Sequence, residues 1–417
     1  MQALLGIAFL LVLTWLISES RKDVRWRPVA VGLAIQSGLA FLFVGVPAVG
    51  EALLVINKLV HTIESATRAG TDFVFGYLGG GAAPFSVTAE DAMYVFAFRV
   101  LPQILLFSVL TAVLWHWRVL PWVINGFGLL LRRGLGIGGA VGTAAAASAF
   151  LGMVEAPLVI RAYLKRLSRS ELFTVMTCGM GTVAGTMMVL YANVLAEATP
   201  GALGHILAAS MLNVVGALVY SRVFIPPVEP GAQAPSAADD PEVDLQYASN
   251  MDAITRGTAD GLRLALNVGA MLVVLVSLVA LVNQLIGLAQ VLDEPLSLER
   301  LMGWVFAPLA WLIGIPWADA QVAGGLLGSK LILNELVAYL QLAALPADQL
   351  TGAGRLIMTY ALCGFANFGS LGIMLAGLST LAPERRSEIL SIGPKALFSG
   401  TIVNLNTGAL VALVSLV

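Results

Sequence analysis

Two glutamates, Glu155 and Glu335, lie inside apolar stretches of the chain, and the local pattern around one is repeated around the other. The first stretch reads SAFLGMVEAPLVIRAYL and the second GLLGSKLILNELVAYLQL. In each, an apolar half-segment precedes the acid and another follows it, reaching Ala-Tyr at Ala162–Tyr163 and Ala338–Tyr339. A carboxylate at membrane depth costs about 2.5–3.5 kcal/mol or more at a helix centre, so something must offset it. Substrate hydrogen bonding, cation binding or proton carriage would do so. A buried acid satisfied by neighbouring helix N-termini is the purely structural alternative, and two acids at equivalent positions of a repeat favour function over it. The carboxylate of Glu335, the amide of Asn367 and the hydroxyl of Ser370 suit the vicinal hydroxyls of a sugar. Asn334 reads equally as a helix cap, and Phe365 equally as core packing or a stacking group. Cys178 and Cys363 read as small apolar fillers.

The elements that must position these residues follow from composition. The 417-residue chain is 58% hydrophobic and 12% charged, with a mean hydropathy of +0.88. A soluble domain carries roughly 25% charged residues, so a water-soluble enzyme is excluded and a membrane protein expected. A net charge of −2 gives no basic surface for nucleic acid. Two cysteines frame neither a disulfide scaffold nor a zinc site, and His61, His116 and His205 are too scattered for metal-ligand spacing.

Crossing the bilayer takes about 20 mostly apolar residues per helix. Eight such runs stand out, at 3–17, 29–49, 94–115, 172–195, 206–225, 264–286, 356–378 and 397–417. The first lacks a basic leader and runs into Arg21, Lys22, Arg25 and Arg27, which reads as a retained anchor helix. Residues 136–167 and 317–345, which hold the two acids, are too broken for ordinary spans and read as re-entrant helical hairpins. The spans after them carry CGMGTVAG at 178–185 and CGFANFGS at 363–370, aligned cysteine to cysteine. Glycine and small polar residues there weaken the helix, and unwound backbone at membrane depth survives only where it is buried or lines a cavity. The fold expected is an all-α polytopic membrane protein, with eight transmembrane helices plus two re-entrant helical hairpins in an inverted repeat. Such a repeat of interrupted helices points to a secondary transporter with its substrate site at the midplane.

Lys and Arg on short loops accumulate on the cytoplasmic side. Placing 21–27 inside puts most of the 23 basic residues inside, among them Arg132, Arg133, Lys165, Arg169, Arg222, Arg385 and Lys395, and leaves both termini outside. Segment 225–250 reads as a mobile cytoplasmic loop, its Asp239, Asp240, Glu242 and Asp244 a solvated run rather than a cation site. Stretches 51–77 and 119–133 read as surface-lying amphipathic helices, and GLGIGG at 134–139 as a chance motif or a hinge. The chain then divides into 1–135, mostly scaffold; 136–226, the first hairpin repeat; 227–257, the flexible loop; 258–316, a scaffold helix and interfacial segment; and 317–417, the second hairpin repeat.

At these residues the chain resembles the concentrative nucleoside transporter family. The matching features are GMVEAPLVIR at 152–161, SELF at 170–173, FAFRVLP at 96–102, ALNVGAML at 265–272, NELVAY at 334–339 and ALCGFAN at 361–367. The resemblance implies nucleoside uptake driven by a sodium or proton gradient through an elevator-like motion. It implies a homotrimer in the bacterial inner membrane, with a scaffold around the third and sixth spans and a transport domain carrying both hairpins. No cofactor is implied beyond the coupling ion, H+ or Na+. Carried over by position, substrate contacts fall on Gly152, Met153, Val154, Glu155, Met187, Asn334, Glu335, Phe365, Asn367 and Ser370. Met153 and Val154 stand where the family usually has Gln and then Thr or Ser, so base choice is relaxed or redirected, toward purines or another ribosyl compound. Ion-coupling positions fall on Ser148, Leu151, Thr182 and Val183, the site of Na+ in sodium-coupled relatives. Ser148 replaces an Asn there, which favours protons, with Glu155 as a buried proton carrier. The rival reading is a gate-type nucleoside-recognition protein acting as a channel or signalling component. An intramembrane enzyme finds no His pair, Ser-Lys dyad or metal motif on the spans.

Overall fold

The structure, a computed structural model, describes residues 1–46, 62–63, 65–88, 94–227, 247–288, 290–291 and 294–415. Residues 51–61 and 64 of the amphipathic stretch 51–77, the end of the second span at 47–49 and residues 228–246 of the acidic loop lie outside them, the Asp239–Asp244 run included.

The architecture is all helical apart from two paired two-residue strands, Gln290–Val291 and Glu294–Pro295. The N-terminal pair is α1 (Gln2–Leu16) and α2 (Trp26–Ala40, continued by a wider turn to Gly45). Then come α3 (Gln103–His116) and α4 (Val119–Leu135). The first hairpin region holds α5 (Gly139–Ser148), α6 (Glu155–Leu158) and α7 (Arg161–Leu164), followed by a broken span, α8 (Arg169–Gly181) and α9 (Gly185–Val194). Two long helices, α10 (Ala202–Phe224) and α11 (Asn250–Ile286), lead to α12 (Leu298–Leu312). The second hairpin is α13 (Trp317–Ile332) and α14 (Glu335–Ala344), and its broken span is α15 (Gly352–Leu362) and α16 (Phe368–Leu381). The last helix is α17 (Arg386–Ser415).

Each of the eight apolar runs carries helix, but by length and composition six helices among the described residues are able to cross a membrane, or seven with the bent pair α12–α13. The difference has physical causes. Helix α1 is only 15 residues long, and the run at 356–378 is interrupted between α15 and α16. The α12–α13 pair folds back through 117°. Gly314 at φ +112° and Pro316 make that corner, a conformation that excludes side chains with a Cβ. The two helices then pack through small residues. A Cβ on Gly324 would lie 2.7 Å from the Gly303 carbonyl oxygen, so the backbones touch.

A second seam joins α3 to α11. Gly257 and Gly261, four apart, bring α11 against the backbone of α3, where added Cβ atoms would sit 2.8 Å from the Cα atoms of Val109 and Leu105. Trp117 donates to Asn250 at 2.9 Å and closes one end of this pair. Most of α11 is otherwise exposed, with Leu266, Val273 and Leu285 outward, an apolar face that lipid or protein must cover. Helices α1 and α2 pack elsewhere, on α10 and α17, within the bundle that holds both broken spans.

At one end of this bundle the charges converge. Glu19 accepts from Arg169 through both oxygens, at 2.9 and 3.1 Å, and from Lys395 at 2.5 Å. Its backbone N–H reaches the Phe224 carbonyl, and Arg222 caps the Leu135 carbonyl at 3.0 Å. Basic clusters that the loops predict to share a side therefore meet at one end of the fold.

Candidate functional site

The two broken spans cross at their breaks. Helix α8 ends at Gly181 and α9 begins at Gly185; α15 ends at Leu362 and α16 begins at Phe368. The Thr182 carbonyl in one break accepts the Phe365 N–H of the other at 3.1 Å. Asn404 of α17 donates to both ends, to the Gly181 and Cys363 carbonyls, each at 2.8 Å. Asn213 of α10 adds a 2.7 Å bond to Cys363, and Thr407 holds that amide at 2.6 Å. Carbonyls freed by unwinding are thus satisfied by buried amides. Gly364 fits because a Cβ would lie 2.6 Å from the Gly181 oxygen.

Both spans break as the sequence predicts, but their register differs from the cysteine-to-cysteine alignment. Cys178 lies inside α8, one turn before its end, whereas Cys363 is the cap of α15. Thr182, the cap of α8, is the structural counterpart of Cys363. Both thiols are buried fillers.

Above the crossing, Glu335 is the first residue of α14 and only 4% exposed. Its carboxylate accepts from Tyr191 at 2.5 Å and from Asn367 at 2.8 Å. Asn367 in turn caps α16 by accepting the Ser370 N–H at 2.7 Å. One amide therefore joins the acid, the helix start and Ser370, all buried. Phe365 packs beside them, also buried. Asn334 caps α14 by accepting the Val337 N–H at 2.9 Å.

Hairpin one presents a different environment. Glu155 opens α6 but is exposed, its carboxylate held by the backbone N–H groups of Val154 and Glu155. Contrary to the fully buried acid expected, Glu155 keeps accessible surface: Met153 and Val154 take the packed positions, and the carboxylate turns back over Gly152. A side chain at Gly152 would strike that carboxylate. Met153 is buried against Gly179, and Val154 packs against Gly377 of α16. Met187 is buried on α9, one turn before Tyr191 on the same face.

Two of the expected ion-coupling residues, Ser148 and Thr182, meet at Cys178. Thr182 donates to the Cys178 carbonyl at 2.8 Å, and Ser148 lies beside the Cys178 thiol while donating to Ala145 at 2.8 Å. Both hydroxyls keep lone pairs free. The Leu151 and Val183 carbonyls, just outside the helices, accept no hydrogen bond among the described residues. Two hydroxyls and two carbonyls are neutral oxygens of the kind that could hold a small cation.

Three residues of the site escape a reading of the sequence. Tyr191 looks like core in an apolar run, although its spacing of four from Met187 places it on the same face. Lys330, only 3% exposed, donates to Asn404 at 2.6 Å and to the Ala361 carbonyl at 3.0 Å. Asn404 lies in the last span, where an amide two residues from Asn406 does not show which helix ends it serves. A cation inside an apolar hairpin is itself a signal for Lys330.

Comparison with known proteins follows the same pattern. Residues 5–78 and 205–412 match the N-terminal and C-terminal models of the Na+ dependent nucleoside transporter family, and residues 97–198 match the Gate nucleoside-recognition model. Among curated proteins, the nucleoside permease NupC of Helicobacter pylori is 34% identical over 99% of this chain and 97% of its own. The sodium/nucleoside cotransporter 1 of Mus musculus is 33% identical over 96% of this chain and 61% of its own. The solved structure of CNTnw in an inward-facing, substrate-bound state is 36% identical, with a TM-score of 0.88 over 99% of this chain and 98% of that one. Broken spans and full-length similarity agree: the chain belongs to the concentrative nucleoside transporter family, whose members are transporters and not enzymes.

Proposed function

We propose that the protein imports nucleosides by symport with a cation, protons favoured over sodium. The observation that carries the reading is the Glu335 cluster, in which an acid, an amide and a helix start are pre-oriented at the crossing of two broken spans. Its oxygens and the Ser370 hydroxyl match the vicinal hydroxyls of a ribose, which exchange hydrogen bonds with both acceptor and donor groups. On this reading Phe365 and Met187 flank the nucleoside, Asn334 holds the hairpin tip, and Gly152, Met153, Val154 and Glu155 face the base. Apolar Met153 and Val154 accept a purine or another ribosyl compound alongside pyrimidines.

The cation preference rests on Ser148. Its short hydroxyl replaces the amide that sodium-coupled relatives carry, leaving a thinner oxygen set with Leu151, Thr182 and Val183. The exposed carboxylate of Glu155 is the group on this hairpin able to take a proton from the open side. The family model and the mouse cotransporter carry sodium in their names, which makes sodium the second reading.

Movement is proposed to be elevator-like, with α3 and α11 as the scaffold and the bundle of both hairpins as the carrier. Support comes from the α3–α11 seam and from CNTnw, whose variants match this chain in outward-facing and intermediate states at TM-scores of 0.87 to 0.89. The outward apolar face of α11 suits a trimer contact. The convergence of basic clusters suits a cytoplasmic end in the inner membrane, with both termini outside. Accumulation of labelled uridine or adenosine in proteoliposomes tests the function, and absence of accumulation under any cation gradient contradicts it.

A further inference from the structure

Lys330 belongs to none of the substrate or ion positions, yet its ammonium is buried at the crossing. Helix α8 ends at Gly181 and α15 at Leu362, so two helix C-termini point their free carbonyls into one buried place. Each end carries about half a negative charge, in a buried place. The ammonium of Lys330 bonds the Ala361 carbonyl at 3.0 Å and the Asn404 side-chain oxygen at 2.6 Å. The amide nitrogen of Asn404 bonds Gly181 and Cys363. One positive charge thus serves both ends, directly at α15 and through one amide at α8.

The lysine reaches this place from the second hairpin. It stands near the end of α13, whose cap is Leu333, just ahead of Asn334 and Glu335. Opening this hairpin away from the crossing has to withdraw the ammonium from both oxygens.

We propose that Lys330 is a tethered cation: it fills the place between the two helix ends that a mobile monovalent ion would otherwise occupy, and it latches hairpin two to the crossing. It is a positioning residue, since it acts through Asn404 and the hairpin. The idea rests on the reading of α13–α14 as the hairpin over the site, but its test needs no substrate.

The test is thermal unfolding of the detergent-purified full chain in choline, sodium and potassium chloride, for the unaltered protein, Lys330→Gln and Lys330→Arg. Glutamine keeps hydrogen-bond donors and removes the charge. Arginine keeps the charge. A cation that binds the vacated place must stabilise the glutamine variant by mass action, raising its midpoint in sodium or potassium by at least ~2 °C beyond the shift of the unaltered protein. The arginine variant should show the unaltered response. An unaltered salt response in the glutamine variant overturns the proposal, and so does a cation-sensitive arginine variant. Aggregation of the glutamine variant in all three salts also overturns it, because a mobile ion then fails to replace the charge. Recovery of folded glutamine variant in sodium or potassium but not in choline supports it. Failure of the unaltered protein to take up uridine would remove the substrate reading and leave this result standing.

Discussion

Tyr191 and Glu335, 144 residues apart, meet through a 2.5 Å hydrogen bond between a phenol on α9 and the carboxylate that opens α14. With Asn367 on the other oxygen, the bond ties one broken span to the second hairpin and to the other broken span. Glu335→Gln replaces an acceptor by an NH2 group that faces donors. A hydrogen bond to a charged group contributes about 1.5–3 kcal/mol, so uptake should fall at least ~10-fold while the folded protein survives. Tyr191→Phe should cost less, about 1–2 kcal/mol in the half-saturating substrate concentration. Full uptake by the Gln variant would remove Glu335 from the site.

Much of this arrangement is legible in the sequence because the repeat announces it. Two acids in matching apolar contexts give the hairpins, and Gly and small residues in apolar runs give the breaks. Glu335, Asn367 and Ser370 are chemically suited to one another as residue types alone, and the fold brings them together. What escapes is what depends on contacts distant in sequence. Tyr191 gains its meaning only from Glu335, and Asn404 only from two helix ends on other spans. The one-turn slip between Cys178 and Cys363 shows that identity of residues does not fix where a helix ends; the lost backbone bonds and their amide partners do. Glu155 is exposed because its neighbours Met153 and Val154 hold the packed positions.

Substrate choice is testable at those two neighbours. Met153→Gln with Val154→Thr adds hydrogen-bonding groups where the protein has apolar ones. A site that pairs with a base through such groups discriminates strongly, so competition assays should show sharpened pyrimidine recognition. An unchanged profile would show that these side chains, packed on Gly179 and Gly377, do not face the base.

Ser148→Asn tests the ion assignment. An amide oxygen added beside Thr182 and the open Leu151 and Val183 carbonyls should make uptake depend on sodium concentration. Uptake by this variant that stays independent of sodium would contradict the account of Ser148.

The charge cluster at the basic end makes a pH prediction. Hydrogen bonding to Arg169, followed by the contact with Lys395, lowers the Glu19 carboxyl from 4.5 to about 2 against its partial burial. A carboxyl lowered on folding stabilises the protein fully above its unfolded value, and that stability is lost as pH falls from about 4.5 through about 2. Thermal midpoints of Glu19→Gln should therefore lie below those of the unaltered protein at neutral pH, with the gap narrowing as the solution is acidified below 4.5. A gap that persists unchanged toward pH 2 would show that Glu19 acts through something other than its charge.

The central claim, nucleoside import coupled to a cation gradient, is met most directly by uptake of labelled uridine and adenosine into proteoliposomes, under an imposed pH gradient and separately under a sodium gradient. The account predicts accumulation driven by protons. Accumulation driven only by sodium would keep the transporter and overturn the ion assignment, and no accumulation of either nucleoside under either gradient would contradict the claim itself.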